Sequence, residues 1–387
     1  MKVLHILKTA GWKGGIESYV LELHRESETF GIESHILCDR IDAEVSEMPR
    51  IHSLQDRNVD HQRMRELIQH VAPNVVHFHR TDDLTLMEQT MRDRPTVLTN
   101  HGYQMICPAE DFYMEFGRRV CEKSHVSESC YLHTCFGKCM SWRLNAARKQ
   151  YARASWGVKN INSFSAIIYP SHRSHRRFEG LISDPGKHFV LPYFCPIKPL
   201  DTVPIKTHEI KTITFLGRIR EYKGYRDFIK LLSLLENVRG LMVGDFTEES
   251  SKKVEAIGNR EGVAHRLERR EWCTRAELSS LMEETDVFIF PSLWPETLGI
   301  VGLEALANGV PVVAYDIGGV SEWLISGKTG YAVPVKNVKS LADSVRELLN
   351  DASARYSFGE QGLELVRAKF SLESHINDLL HIYRTCI

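Results

Sequence analysis

Two acidic residues, Glu296 and Glu304, flank a short glycine-containing turn that leads from an apolar run into a helical pattern. The apolar run, Val287–Phe290, is typical of a buried strand. Gly299 lies between the two acids and lets a ligand approach the backbone closely. The free N–H groups of a helix start favour phosphate. Carboxylates on either side of such a phosphate site would hold hydroxyl groups, which is the layout of a sugar, a diphosphate and a ribose.

Two cationic residues, Arg218 and Lys223, follow another predicted strand, Thr212–Leu216, in a loop bounded by glycines. An arginine fork and a lysine point charge together suit a diphosphate. Most surface arginines and lysines are simply solvated charges. The position at a strand end favours a binding role for this pair.

Two glycine pairs stand just before predicted helices: Gly14 and Gly15 after the first strand, and Gly318 and Gly319 after a later one. Such a pair can turn backbone N–H groups toward an anion. An ordinary strand–helix turn is the alternative. The first loop lacks the Gly-x-Gly-x-x-Gly spacing of dinucleotide binders, which argues against an NAD enzyme.

Length and composition limit the classes of protein that fit. A chain of 387 residues suggests about two domains. Its net charge of −1 provides no global field to attract nucleic acid. No apolar run approaches the ~20 residues that span a bilayer. The N-terminus leads from a short apolar run directly into a glycine loop, so we interpret it as the first strand and expect a cytoplasmic protein.

Short β-branched runs alternate with amphipathic segments, which predicts α/β domains with parallel sheets. The predicted strands are Val3–Leu7, Ser34–Cys38, Val75–Phe78, Thr96–Thr99, Ala166–Tyr169, Phe189–Leu191, Thr212–Leu216, Gly240–Val243, Val287–Phe290, Pro311–Ala314 and Tyr331–Val333. The predicted helices include Ile16–Glu26, Arg63–His70, Leu298–Ala307, Leu341–Leu349 and Ala354–Ala368. Three prolines in Leu191–Leu200 predict a linker. Two doubly wound sheets on either side of it would face a central cleft.

These segments resemble the family 4 retaining glycosyltransferases, which have the GT-B architecture of two Rossmann-like domains. The motifs that carry the resemblance are Gly217-Arg218…Lys223-Gly224, Pro295-Glu296…Glu304-Ala305, Gly309–Ala314, Gly318-Gly319 and Gly327–Gly330. The likeness covers most of residues 211–370 and is thinner in the first half. There, His101-Gly102 stands where members often have His-Asp, and Tyr193–Pro196 replaces the usual Asn-Gly-Val/Ile-Asp after the linker strand.

The resemblance implies domains at residues 1–195, on the acceptor side, and 205–370, which would bind the nucleotide sugar. A last helix over residues 371–387 would pack back on the first domain. The implied catalytic residues are His101, Arg218, Lys223 and Glu296. The implied donor-binding residues are Gly14, Gly15, Arg218, Lys223, Glu296, Leu298, Gly299, Ile300, Val301 and Glu304. Of these, Arg218 and Lys223 would bind the diphosphate, Glu304 the ribose and Glu296 the transferred sugar.

The sugar transfer that this resemblance implies needs no cofactor, because the two cations and the N–H groups would stabilise the departing phosphate. Glu296 is interpreted as a positioning group, since the family is usually described by a front-face route in which the donor phosphate takes the acceptor's proton. The acceptor is a glycan, a lipid-linked molecule or a small molecule. A sugar-nucleotide epimerase or a phosphorylase on the same scaffold, and an inactive sugar-nucleotide-binding protein, remain alternatives.

A cysteine-rich insert, residues 103–142, sits where an acceptor would enter. It leaves two alternatives open, a loop of reduced thiols or a metal site at Cys121, Cys130, Cys135 and Cys139, although Cys130-x4-Cys135-x3-Cys139 is not a standard zinc spacing. Basic residues follow at Arg143, Arg148, Lys149, Arg153, Arg173, Arg176 and Arg177. They form either a solvated helix face or a patch that contacts anionic membrane from its inner face.

Overall fold

The computed structural model describes residues 1–12, 14–53, 61–140 and 143–387, without the side chains of residues 61–63, 135 and 276. These residues form two parallel sheets with helices packed around them. The predicted α/β class with two doubly wound domains is confirmed. Parallel strands covered on both faces must be apolar along their length, which explains why the central strands could be predicted from short hydrophobic runs.

The first sheet has seven parallel strands in the order β3-β2-β1-β4-β5-β8-β9. Its strands are β1 (Lys2–Ala10), β2 (Glu33–Ile41), β3 (Ile51–Ser53), β4 (Val75–Phe78), β5 (Thr96–Thr99), β8 (Ala166–Tyr169) and β9 (His188–Val190). A separate hairpin pairs β6 (Tyr113–Met114) with β7 (Arg119–Val120). The helices are α1 (Gly15–Glu26), α2 (His61–Val71), α3 (Leu84–Asp93), α4 (Cys130–Gly137), α5 (Leu144–Asn160) and α6 (His172–Arg176). The strand order reverses between β1 and β4, where a crevice opens at the carboxyl ends.

The second sheet has six parallel strands in the order β12-β11-β10-β13-β14-β15. They are β10 (Lys211–Leu216), β11 (Val238–Gly244), β12 (Leu267–Glu271), β13 (Val287–Phe290), β14 (Val312–Tyr315) and β15 (Gly330–Val333). The helices are α7 (Tyr225–Ser233), α8 (Glu248–Arg260), α9 (Arg275–Glu283), α10 (Ile300–Ala307), α11 (Val338–Asn350) and α12 (Ala352–Lys369). The order reverses between β10 and β13, the two strands that precede the predicted cationic and acidic loops.

Two local predictions were wrong. The helix expected from Leu298 begins at Ile300, because Gly299 adopts a φ of 91°, a left-handed conformation that cannot continue a helix. Strand β12 was not predicted because its sequence is mostly charged. Charged residues suit the edge of a sheet, where they discourage pairing with another chain.

A last helix, α13 (Leu372–Cys386), contacts the first domain. Its Tyr383 hydroxyl lies 2.6 Å from Nδ1 of His77, and Nε2 of its His375 lies 2.7 Å from the hydroxyl of Tyr19. The segment after β9 joins the domains, and there the Cys195 N–H donates to the carbonyl of Phe370. In the part of the chain described, no helix has both the length and the apolar character needed to cross a membrane.

Candidate active site

The loops that leave β5 and β13 meet between the two sheets. The hydroxyl of Tyr103, in the loop after β5, donates to the carbonyl of Pro295 at 2.8 Å. The hydroxyl of Thr297 donates in the other direction, to the carbonyl of His101 at 3.3 Å. The predicted site residues of the two domains therefore belong to one cleft.

Glu296 and Lys223 form an ion pair at the centre of this cleft. The Lys223 Nζ lies 2.5 Å from Oε1 of Glu296. The same carboxylate oxygen accepts the hydroxyl of Ser292 at 2.7 Å. The ammonium also lies 5.3 Å from the ring centroid of Trp294, close enough for a cation–π contact. Glu296 is only 4% exposed, so the direction of its carboxylate is fixed by these partners.

Glycines allow the backbone to bring this pair together. Gly224 follows Lys223 with a φ of 77°, and an added Cβ would lie 1.8 Å from the carbonyl oxygen of Pro291. An added Cβ at Gly318 would lie 2.2 Å from the carbonyl oxygen of Glu296. The same oxygen accepts the N–H of Gly319. The glycine pair predicted as an anion-binding turn thus packs against the back of the Glu296 loop and supports it.

The start of α10 follows directly on this loop. The first N–H groups of a helix have no acceptor within the helix and favour an anion. Leu298 is fully buried, and its carbonyl accepts the indole N–H of Trp323 at 2.8 Å. Ile300 and Val301 are half-buried. Of the predicted donor contacts in this stretch, the side chain of Leu298 therefore belongs to the core, whereas Ile300 and Val301 remain partly exposed.

Arg218 is exposed at the end of β10 and forms no ion pair with any residue that the structure describes. The neighbouring Arg220 differs, because its guanidinium lies 3.5 Å from the carboxylate of Asp245. The same aspartate accepts the Ile219 N–H at 2.7 Å, which anchors the loop between the two arginines. The backbone of Arg218 is therefore fixed, and no carboxylate of the described residues pairs with its side chain.

Glu304 lies inside α10 with 9% of its surface exposed. Burial raises the pKa of its carboxyl to about 7, and the nearby Arg275 acts in the opposite direction. Arg275, at the start of α9, also pairs with Glu22 of α1 and lies 5.5 Å from the ring of Trp12. The arginine thus connects the surroundings of Glu304 with the loop that carries Gly14 and Gly15.

The loop after β1 presents open space at Gly15. An added Cβ there would meet no heavy atom of the described residues within 4 Å, whereas one at Gly14 would lie 2.0 Å from the carboxylate of Glu17. Gly14 is the residue before α1 and has an extended backbone. The free N–H groups at the beginning of that helix therefore lie next to it. This arrangement leaves room for a ligand at Gly15.

His101 belongs to a buried chain of hydrogen-bonded rings that runs from Tyr193 through His101 and His79 to His5. Its Nδ1 lies 2.7 Å from the hydroxyl of Tyr193, and its Nε2 lies 2.9 Å from Nδ1 of His79. His79 in turn contacts Nδ1 of His5 through its Nε2, also at 2.9 Å. Burial lowers the pKa of His101 to about 3. The imidazole is therefore neutral near pH 7, and both of its nitrogens already have protein partners.

Sequence analysis missed three residues that contact the predicted site: Tyr193, Ser292 and Tyr103. Tyr193 lies where the sequence departs from the family pattern after the linker strand, which was the available signal. Ser292 and Tyr103 gave none, because a lone hydroxyl in a loop has many roles. The Tyr193–His101 and Tyr103–Pro295 contacts join residues far apart in the sequence and arise only from the tertiary fold, whereas Ser292 lies four residues before its partner Glu296.

At least three of the seven basic residues proposed for a membrane patch have partners within the protein. Arg153 pairs with Asp82 and Glu110. Arg173 donates to Asp316 at 2.6 Å, and Arg177 lies 4.9 Å from the ring of Phe112. These contacts join loops and domains, so the three arginines contribute less to an external patch than their sequence positions suggested.

Comparison with protein families finds two matches that together span most of the chain. The family described as Glycosyltransferase Family 4 matches residues 13–194, and the family described as Glycosyl transferases group 1 matches residues 202–365. Among curated relatives, a D-inositol 3-phosphate glycosyltransferase of Paenarthrobacter aurescens is 31% identical over 38% of this chain and 37% of its own length. An alpha-D-kanosaminyltransferase of Streptomyces kanamyceticus is 28% identical over 44% of this chain and 45% of its own length. The matches thus span less than half of each of these relatives.

Solved structures resemble the whole chain in fold. A sucrose-phosphate synthase from Thermosynechococcus elongatus superposes with a TM-score of 0.78 at 16% identity, covering 99% of this chain and 98% of its own. Anabaena HepE, solved in complex with UDP and glucose, has a TM-score of 0.69 at 16% identity over 98% of each chain. WaaG, a glycosyltransferase involved in lipopolysaccharide biosynthesis, has a TM-score of 0.69 at 16% identity, covering 97% of this chain and 99% of its own.

Proposed function

The chain belongs to the family 4 glycosyltransferases of the GT-B type, and from that premise we propose that it transfers a sugar from a nucleotide-diphosphate sugar to an acceptor hydroxyl with retention of anomeric configuration. The observation that carries the proposal is the Lys223–Glu296 pair in the cleft, together with the exposed Arg218 in the same loop as Lys223. It combines a group that binds phosphate and a group that binds sugar hydroxyls at one point.

In this proposal the diphosphate lies between Arg218, Lys223 and the first N–H groups of α10. Glycosyl transfer builds negative charge on the departing phosphate as the bond to the sugar breaks. Groups that already point at this charge stabilise the transition state more than the bound substrate. The side chains and the helix N–H groups supply the positive charge, so we propose that transfer requires no metal or other cofactor.

Glu296 would accept hydrogen bonds from hydroxyls of the transferred sugar. Its Oε1 is occupied by Lys223 and Ser292, which leaves Oε2 for the sugar. A carboxylate held in this way orients the ring and is a poor choice for a nucleophile, because one oxygen is already neutralised. We therefore propose a front-face route, in which the acceptor oxygen attacks from the side of the leaving phosphate and its proton passes to a phosphate oxygen.

His101 would position the sugar without exchanging a proton. Its depressed pKa keeps the imidazole neutral at the pH of the reaction. A sugar hydroxyl can take the place of Tyr193 at Nδ1, since the two groups have the same hydrogen-bonding capacity. The chain through His79 would then hold the ring and its tautomer in place.

A donor screen followed by product analysis tests the proposal. The protein is first tested for thermal stabilisation by UDP, GDP and ADP sugars, because a bound donor raises the melting temperature. UDP sugars are placed first, since HepE was solved with UDP-glucose. The stabilising donor is then incubated with acceptors, and the anomeric configuration of the product is read by NMR. An inverted product would contradict retention, and a donor that binds without turnover under all conditions would favour an inactive binding protein.

The binding of the nucleotide sugar should depend on the protonation of Glu304. A ribose needs the carboxylate form as acceptor, and burial places the pKa of this group at about 7. The affinity should therefore fall by about tenfold when the pH drops from 8 to 6. Calorimetry with a nucleotide sugar is suitable, because its diphosphate does not titrate in this range. In Glu304→Gln the affinity should be lower and independent of pH, whereas an unchanged pH dependence would contradict the assignment.

We further propose that the insert lies on the acceptor side of the cleft and contacts an anionic membrane. On α4, Leu132 and Phe136 are 60% and 76% exposed and lie one turn apart. Arg148 and Lys149 of α5 are also exposed. Apolar side chains beside cations suit a surface that lies on anionic lipid.

Vesicle sedimentation tests this contact. The wild type should bind vesicles that contain phosphatidylglycerol in preference to vesicles of phosphatidylcholine alone. The double variant Leu132→Asp/Phe136→Asp should lose this binding. Ile205→Asp, at an equally exposed apolar position in the linker, is the matched control and should bind as the wild type does. Equal binding by all three proteins would contradict the proposal.

A further inference from the structure

The insert encloses a small cavity whose wall contains thiols and imidazoles. The cavity has a volume of ≈ 20 Å³. Its lining includes four cysteines, Cys107, Cys121, Cys130 and Cys139, and two histidines, His125 and His133, beside Lys123 and Tyr113. A volume of this size admits about one water-sized sphere. The cavity is therefore too small for a sugar or another organic group, but it has room for a single ion.

The four cysteines come from separate parts of the insert. Cys107 follows a turn after β5, Cys121 directly follows β7, Cys130 begins α4, and Cys139 follows that helix. Cys107 and Cys130 are 7% and 8% exposed. Burial and, to a smaller extent, the neighbouring thiols of Cys121 and Cys130 together raise the pKa of Cys139 to about 11. The tertiary fold thus gathers four thiols that are spread along the sequence.

The insert has little regular structure of its own. It contains one hairpin of two-residue strands and the eight-residue helix α4. Four of its non-glycine residues, Glu110, Phe112, Arg118 and Lys138, have positive φ angles, which are unfavourable for residues with a Cβ. Segments this small and irregular commonly depend on disulfides or a structural metal. All four lining cysteines are free thiols, so no disulfide among them stabilises the insert.

We propose that Cys107, Cys121, Cys130 and Cys139 bind one Zn²⁺ ion that fixes the insert on the first domain. Four thiolates in a tetrahedral arrangement are a common structural zinc site. Each thiol releases its proton to solvent as its sulfur binds the ion, so the complex carries two negative charges. Lys123 lines the same cavity, and Arg177 donates to the carbonyl of Cys121 at 3.3 Å. These two cations offset the added charge.

The four thiols are spaced more widely in this structure than the ligands of a bound ion. Within the described chain, the residues whose ligand atoms lie within 4.8 Å of one another are His5, His77 and His79. Zinc–sulfur bonds of about 2.3 Å therefore require rotations of the cysteine side chains. Such rotations between staggered positions cost little compared with the free energy of zinc binding.

The buried histidine cluster is a weaker metal site despite its short distances. The rings of His77 and His79 are tilted by 36° with centroids 4.0 Å apart, and both nitrogens of His79 already have imidazole partners in His5 and His101. The nitrogens of His77 are also bonded to Tyr383 and Thr99. The ligand set in the insert differs from the one considered from sequence, because Cys107 lines the cavity and the side chain of Cys135 lies outside the described residues.

Metal analysis of the purified full-length protein tests the proposal. Elemental analysis should find about one zinc per chain, as a site with four thiolates binds one ion. Cys121→Ser and Cys139→Ser should each lose most of this zinc. Cys273→Ser should retain it, because Cys273 is a free, partly exposed thiol of the other domain. Zinc below about a tenth of an equivalent in the wild type, or full zinc in both lining variants, would overturn the proposal.

Cobalt substitution covers the case in which the variants do not fold. Protein loaded with Co²⁺ in place of Zn²⁺ should show the intense visible bands of a tetrahedral cobalt–thiolate site. Absence of these bands in folded, cobalt-loaded protein would overturn the proposal. Mass measurement without reduction provides a further check, because disulfides among the four cysteines would also exclude the site. Each of these readouts is independent of glycosyl transfer.

Discussion

Replacing Arg218 or Lys223 by alanine should lower kcat/KM for sugar transfer by about a hundredfold or more, the usual effect of removing one preorganised charge partner of a transition state. Arg218 is exposed at a strand end and has no carboxylate partner in the described chain, so its charge is available to the donor. Lys223 is held 2.5 Å from Glu296 and lies over the ring of Trp294. The loss should appear mainly in kcat, because the charge on the phosphate grows as the sugar departs.

Arg220→Ala is the matched control for the first variant. Arg220 lies in the same loop but is paired with Asp245, so the Arg220→Ala variant should transfer sugar at a nearly normal rate. Lys223→Ala leaves the buried Glu296 without its ion-pair partner, so its melting temperature must be measured beside the rate. Lys223→Gln keeps a hydrogen bond to Glu296 and separates loss of charge from loss of structure. Near-normal kinetics in both alanine variants would remove the diphosphate assignment.

Mild acid should destabilise the protein strongly. Seven of the described histidines are buried, and five of them form a connected group of rings around Tyr19: His5, His77, His79, His101 and His375. Burial lowers the pKa of His5 and His101 to about 3 and that of His375 to about 4, and it lowers the pKa of His77 and His79 as well. The unfolded chain takes up protons on these groups near pH 6.5, while the folded chain does not.

The contribution of these neutral histidines to the free energy of unfolding is therefore fully present above pH 6.5, and it is lost as the pH falls toward 4. Each group lowers the free energy of unfolding by about 1.4 kcal/mol per pH unit in that window. Among the carboxyl groups, burial raises the pKa of Glu304 and Asp111 to about 7 and also raises that of Asp39, so these groups act in the opposite direction. For the five histidines together with Glu304 and Asp111, the loss should be on the order of 4 kcal/mol per pH unit between pH 6 and 5. Urea titrations at a series of pH values measure it.

His375→Gln tests the origin of this slope. A glutamine can donate to the carbonyl of Pro192 and accept from Tyr19, as His375 does, but it takes up no proton. The variant should reduce the pH dependence by about one proton, or 1.4 kcal/mol per pH unit. His265→Gln changes an exposed histidine and should leave the slope as it is. A wild-type stability that is flat from pH 7 to 5 would disprove the prediction.

Residues near strand ends could be proposed for the site because parallel sheets have a simple geometry. Arg218, Glu296 and the Gly14–Gly15 loop each follow a short apolar run, and such positions gather at the carboxyl edge of a sheet. Gly318 and Gly319 were interpreted too narrowly. They follow a strand as well, but their lack of side chains serves the close packing of the Glu296 backbone. A strand-end glycine alone does not distinguish contact with a ligand from contact with another loop.

The sequence by itself determined the α/β class, the central strands and the family motifs of the second half, because these depend on local runs of apolar residues and on short spacings. The tertiary structure decided which of those residues meet. It paired Glu296 with Lys223, joined His101 to Tyr193, His79 and His5, and enclosed one cavity with cysteines from four segments. These contacts join residues far apart in the chain. Their distances follow from how two sheets, a linker and a last helix pack together, which no local pattern encodes.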